Sequence, residues 1–356
     1  MKPDAFERNR NVERSHQTEL PHVGSPDLTV VIVCAAGGAK LDRTLTSIAA
    51  QTIGPRIEVI AVTPDPAEQV ERRVFRLTGN LHSFHAIHVD SIPNVDFAAG
   101  RAILQGSAPF VASIEDHAFP EPEWAETVLR AFEDPDVVAA GSAFLNANPQ
   151  SGMSWSVLLI ALGAWHPKVR AGRIDWIQLH DCTYRRAALT TLGPEVWRLF
   201  NRESEVLLRL RAQGGAFAFA PTARIRHLNA SRWRDCAVLR LNGGRLAASL
   251  RWTSEGWGLP RRLLYILGAP AIPFVRYIKM RRVIFGNQPG ASELRWGWAV
   301  LYGLIFDAIG QAVGFAAGIG GARDALAAHE IDRTNELNQA DRRRFLPLAC
   351  EERTSP

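Results

Sequence analysis

A chain of 356 residues with 47% hydrophobic composition is long enough to bury a core in one large domain, or a domain with an appendage, which excludes a disordered protein. The formal net charge is only +5, but basic residues crowd into the second half around 224–251 and 261–282, in a chain that carries ten tryptophans. That pairing points to an anionic membrane surface or phosphorylated ligands, and because no nucleic-acid motif accompanies it, nucleic acid is not an expected partner.

Residues 1–26 are polar and charged and lack the apolar centre of a signal peptide, so a flexible tail is expected, with the globular part on the cytoplasmic side of a membrane. The four cysteines, Cys34, Cys182, Cys236 and Cys350, form no Cys-x-x-Cys pair, which favours reduced thiols over a zinc site or a disulfide framework. Order begins at Leu28: the β-branched run to Cys34 reads as a buried parallel strand broken by Gly37-Gly38. A helix is expected from about Lys40, with Leu41, Leu45 and Ile48 on one face, then a strand over 57–62 and a helix over 66–77. Strand and helix in alternation imply a right-handed parallel α/β sheet.

After the second strand comes Thr63-Pro64-Asp65, and after it a helix start, Asn94-Val95-Asp96 through Arg101. Arg101 has the forked guanidinium that suits phosphate oxygens, or is an exposed helix arginine. The apolar run 109–112 then opens onto Glu115-Asp116-His117, followed by Pro120-x-Pro122-x-Trp124. Two carboxylates and an imidazole at the carboxyl edge of a sheet suit a divalent cation such as Mg or Mn; alternatively the acids cap the helix beginning near Pro122. A helix to Phe132 and a strand over 137–141 follow, and Met153–Trp165 reads as a core helix or part of an acceptor groove. Arg185 and Arg186 in the run Asp181–Leu189 either face phosphate or simply start a helix. Glu203 and Glu205, ahead of Leu207-Leu208-Arg209-Leu210, can be read as first-turn helix acids. Phe217–His227 reads as strand, proline, strand, ending on a histidine that is either a ligand or a structural hydrogen-bonder.

These motifs, in this order over 28–229, resemble glycosyltransferase family 2, whose members are inverting nucleotide-sugar transferases of the GT-A fold. The resemblance implies a Rossmann-like, mostly parallel sheet flanked by helices, in a domain spanning 27–230. Glu115-x-His117 falls on the family's acidic metal motif, which implies Mg or Mn held by Glu115 and His117 with His227. Glu203 falls on the catalytic base, although Arg202 stands where the family has its first acid. Asp65, Arg101, Asp116, Arg185, Arg186 and Glu205 are implied as substrate-binding. Cys34-Ala35-Ala36 departs from the family's base-recognition residues.

From Ser231 the composition changes: Arg232, Arg234, Arg240, Arg245 and Arg251 alternate with Trp233, Leu239, Leu246 and Trp252, suggesting amphipathic helices on a bilayer surface. The run 263–275 contains Pro270 and Pro273, so interfacial or re-entrant placement is expected. Trp296–Gly320 has transmembrane length, about 20 residues being needed, but holds Asp307 and Gln311, so packing in protein and embedding in a membrane are both open. A helical membrane-associated region over 231–329 and a charged tail over 330–356 complete the expected organisation. The chain is thus expected to transfer a sugar to a lipid-linked or surface-polysaccharide glycan acceptor. A non-catalytic membrane-bound scaffold and a nucleotidyltransferase are the alternatives.

Overall fold

The computed structural model describes residues 24–37, 39–201, 204–284 and 291–346. The chain divides into two compact units, one holding residues up to 145 with 170–226, the other 146–169 with 227–356. Most of the expected tail over 1–26 lies outside the described residues.

The first unit is built on a mixed sheet. In chain order its elements are β1 (Leu28–Val33), α1 (Ala39–Ala49), β2 (Ile57–Thr63), α2 (Ala67–Val74), β3 (Ser83–His88), α3 (Val95–Ile103), β4 (Phe110–Glu115), β5 (Ala118–Pro120), α4 (Trp124–Arg130) and β6 (Val137–Asn146). The chain leaves this unit through α5 (Gly152–Leu162) and returns as β7 (Gly172–Ile174), β8 (Cys182–Arg185), α6 (Arg186–Thr190), α7 (Glu205–Ala212) and β9 (Ala216–His227). Both β6 and β9 end at a unit boundary, on Asn146 and His227.

The strand order is β3-β2-β1-β4-β8-β6-β9-β5, with β7 paired to β9. β1 runs parallel to β2 and β4, and β2 parallel to β3, whereas β8 is antiparallel to both β4 and β6. Every residue of β1 is buried, as a strand covered on both faces requires, and each such Val, Leu or Ile contributes about 1.5–3 kcal/mol. Leu41, Leu45 and Ile48 of α1 are all buried, so the expected helical face is the observed one. The largest fully buried side chain among the described residues is Trp124, whose Nε1 donates to Ser142 Oγ at 2.9 Å. It anchors the loop that follows β4.

The second unit is helical: α5, then α8 (Trp233–Ser254), α9 (Leu259–Gly268), α10 (Ile272–Ile284), α11 (Ala291–Ala317), α12 (Ala322–Ile331) and α13 (Gln339–Phe345). Met153, Val157, Cys236, Leu239, Leu246 and Ala299 share one core, so α5 is a core helix of this unit. α8 and α11 touch backbone to backbone: a Cβ on Gly310 would lie 2.0 Å from the Leu241 carbonyl oxygen. The expected bilayer-facing side of α8 is therefore covered by protein at Cys236, Leu239 and Leu246, while Trp233 stays exposed.

Within α11, Asp307 is buried, ion-paired to Arg276 and bonded by Gln311 Nε2 at 2.6 Å, which is how a charge is tolerated in an apolar helix. The charged segment from 330 is likewise not a tail as far as Leu346. Arg333 is buried between Glu330 at 3.1 Å and Glu336 at 2.8 Å, and Asp341 accepts from Asn148 Nδ2 at 2.9 Å. Pairing its charges lets that segment pack.

Candidate active site

Parallel strands carry their last residues to one edge, and the register aligns Val33 of β1 with Glu115 of β4 and with Val62 of β2. Ligands of open α/β sheets gather at this carboxyl edge. The antiparallel β8 starts there, because Ala112 pairs with Thr183, and so brings His180 and Asp181 up to Glu115. The amide of Glu115 donates to Asp181 Oδ1 at 3.0 Å.

The segment 116–125 is stitched to α1 and to the turn that follows it. Thr44 Oγ1 donates to the Asp116 carbonyl at 2.8 Å, and Gln51 bonds the Glu121 carbonyl and the Ala125 amide, both at 2.9 Å. Asp116 and His117 are both buried, and His117 Nδ1 lies 3.0 Å from Asp116 Oδ1. A carboxylate only accepts, so it holds the proton on Nδ1 and leaves Nε2 with its lone pair. That Nε2 sits 3.5 Å from Glu115 Oε2. At the end of β9 the buried His227 repeats the pattern, its Nδ1 3.0 Å from Asn229 Oδ1.

One ligand atom from each of Glu115, His117 and His227 lies within 4.8 Å of the others, the geometry of a possible metal site. One carboxylate and two imidazoles, each ring oriented through its Nδ1, fit a divalent cation; between an imidazole lone pair and a carboxylate oxygen a cation relieves repulsion. Asp116 thus orients His117. Cys34, at the end of β1, is a neutral thiol, because burial first and the Asp116 charge second push its pKa up.

Of the other residues singled out in the sequence, Asp65 lies on the same edge: a Cβ on Gly37, whose φ is +71°, would meet Asp65 Oδ1 at 2.9 Å. Arg101 stacks on Trp197, its Cζ 4.0 Å from the ring centroid. Glu205 opens α7 and pairs with Arg209 at 3.2 Å on the surface. Glu203 and its neighbour Arg202 lie outside the described residues.

Arg185 and Arg186 are a correction. β8 runs antiparallel to β4 and pairs Arg185 with Phe110, at the amino edge, roughly 16 Å from Glu115 at ~3.3 Å per residue. There Arg185 donates to the carbonyls of Phe132 at 3.1 Å and Val137 at 3.3 Å, and Arg186 to that of Gly106. Both guanidiniums bond main-chain oxygens of the first unit, on the edge away from the acid–histidine cluster.

Sequence reasoning passed over His180, Asp96 and Asp181. His180 Nδ1 lies 3.3 Å from Glu115 Oε1 and 3.6 Å from Asp96 Oδ1, and Asp96 is buried in the first turn of α3. The available signal was Asn94, a capping residue that accepts from the Phe97 amide at 3.0 Å and fixes where that helix starts.

Residues 26–244 match the family described as glycosyltransferase like family 2. No curated protein sequence matches. Among solved structures, a mannosyltransferase of Pyrobaculum calidifontis in complex with GDP-Man and Mn2+ is 15% identical with a TM-score of 0.50, over 86% of this chain and 93% of that one. S. aureus TarS 1–349 in complex with UDP is 14% identical with a TM-score of 0.44, over 81% of this chain and 90% of that one. The first of these likenesses is one of fold. Since the family match covers more than half of the sequence, the chain belongs to glycosyltransferase family 2.

Proposed function

We propose that this family 2 glycosyltransferase moves a sugar from a nucleotide-diphosphate donor to an acceptor hydroxyl with inversion, with Mg or Mn held by Glu115, His117 and His227. The observation that carries this reading is the convergence of those three side chains at the carboxyl edge of the sheet. A divalent cation there would supply Lewis-acid neutralisation of charge on the departing diphosphate. Asp116 and Asn229 hold the two imidazoles in the tautomer that offers Nε2. Asp65, which lies against Gly37 in the loop after β1, meets the nucleotide in this reading. Glu203, in the frame ahead of Arg209, takes the acceptor proton as that oxygen attacks the face opposite the leaving group.

The acceptor in this reading is a lipid-linked or surface-polysaccharide glycan, met at the cytoplasmic side of a membrane. Two helical stretches, Leu259–Arg281 and Arg295–Ala317, are long and apolar enough to cross a bilayer, but half of the second is buried in protein. The first leaves Leu263, Leu264, Leu267, Phe274, Val275 and Ile278 exposed, Leu264 at 68% and Leu267 at 78%. They recur at helical spacing across α9 and α10, which supports a lipid-facing stripe more than a free surface. Vesicle flotation tests this: Leu264→Glu with Leu267→Glu should release the chain from anionic vesicles, and wild-type protein that never floats would sink the membrane reading.

For the chemistry, purified full-length chain is offered a panel of nucleotide sugars with Mn2+ or with chelator. Metal-dependent consumption of one donor is expected, and Glu203→Gln should keep donor binding while slowing transfer by about 10²–10⁴. A wild-type chain that consumes no donor would favour the non-catalytic scaffold instead.

A further inference from the structure

We propose that His180 is a positioning residue for the metal-ligating carboxylate of Glu115, acting with Asp181 as a two-point clamp. This rests on the metal reading given above. Asp181 takes the Glu115 backbone amide at 3.0 Å, and His180 faces the same residue's Oε1 at 3.3 Å, so adjacent side chains hold both the main chain and the carboxylate of one glutamate. The clamp depends on an unusual backbone: Asp181 has φ +52°, left-handed for a residue with a Cβ, and is fully buried. Such a conformation persists only where its surroundings impose it, and it turns two consecutive side chains toward one neighbour.

Behind His180 stands Asp96, 3.6 Å from the same Nδ1 and buried in the first turn of α3. Two carboxylates around Nδ1 favour the tautomer that carries its proton on that nitrogen, between Asp96 and Glu115. Glu115 then has one oxygen toward His180 and the other toward His117 Nε2, at 3.5 Å. A carboxylate tethered at one oxygen offers the other in a set direction. That is the role of outer-shell partners whose removal costs about 10–100-fold in metal affinity.

The test is calorimetric titration of Mn2+ into metal-free full-length chain, with thermal melting of each variant. His180→Ala should weaken Mn2+ binding about 10–100-fold with an unchanged melting temperature. His180→Asn, whose amide nitrogen falls near the Nδ1 position, should bind close to wild type. If wild type binds and His180→Ala binds equally well, the clamp is overturned while the metal reading stands. His180→Asn binding as weakly as the alanine variant would overturn donation through Nδ1. Should wild type itself bind no Mn2+, the metal reading fails and takes the clamp with it. If His180→Ala does not fold, the asparagine variant decides alone: near-wild-type binding supports the clamp and weak binding overturns it.

Discussion

Glu58 and Glu115 lie on strands of one sheet, at opposite edges, and their surroundings could hardly differ more. Glu58, near the start of β2, is buried with Oε2 accepting from Thr29 Oγ1 at 2.6 Å, the Ser107 amide at 2.8 Å and Ser107 Oγ at 3.2 Å. Those donors are neutral groups of the chain, and they use the carboxylate to tie β1, β2 and the loop before β4 together. Glu115, at the end of β4, faces two imidazoles at 3.3 and 3.5 Å. One acid is surrounded by neutral protein donors; the other, in the proposed reading, belongs to a set arranged around a metal. Burial alone would not separate them, since both are largely withdrawn from water. What separates them is whether the partners complete the group or compete with it for a cation.

The largest effect should come from breaking the carboxyl edge. In the proposed reading Glu115→Ala removes a metal ligand, and losing several kcal/mol of transition-state stabilisation corresponds to about a 10³-fold fall in kcat/KM. Thermal melting of the metal-free variant should stay near wild type, because Glu115 ends its strand rather than filling the core. A variant that loses stability but keeps its activity would make Glu115 resemble Glu58.

The reverse pattern is expected of Glu58→Ala. It leaves the Thr29 hydroxyl and the Ser107 amide without their acceptor, at about 1–3 kcal/mol for such a buried group. Denaturation should shift to lower urea while kcat/KM of the folded fraction is unchanged. A tenfold loss of activity at full stability would erase the distinction between the two edges.

How much of this could be read in the sequence follows from what is local. β1 and β2 were legible because strands buried on both faces need a nearly continuous apolar, β-branched run, and Glu115-Asp116-His117 because a strand ended abruptly on polar groups. β3, Ser83–His88, gave no pattern: its first three residues are only half-buried, and histidines occupy two of its positions. His180 was invisible for another reason. Its meaning depends on β8 running antiparallel beside β4, and strand direction is a property of the sheet, not of the residues near 180. The same blindness left Arg185 and Arg186 open between phosphate and a helix start, since only the strand direction puts them at the amino edge, where Arg186 opens a helix. The segment after 330 misled through composition, since Arg333, Glu336 and Asp341 are polar residues that became buried by pairing with one another or with Asn148.

The smallest effect, and the sharpest check on the correction, belongs to Arg185. Its guanidinium lies 5.3 Å from the Phe110 ring and 5.6 Å from the Phe132 ring while donating to two carbonyls, so it stabilises the amino edge through ordinary contacts. Because Arg185 is only half-buried, water can replace part of what Arg185→Ala removes, and the loss should be about 1 kcal/mol. Donor KM should not move, since a side chain at the Phe110 end of β4 cannot reach a diphosphate bound beside Glu115. Steady-state kinetics across a donor titration decides the matter. If Arg185→Ala raises donor KM about tenfold at unchanged stability, phosphate is bound at the amino edge after all, and the division of the sheet into a structural and a reactive edge fails.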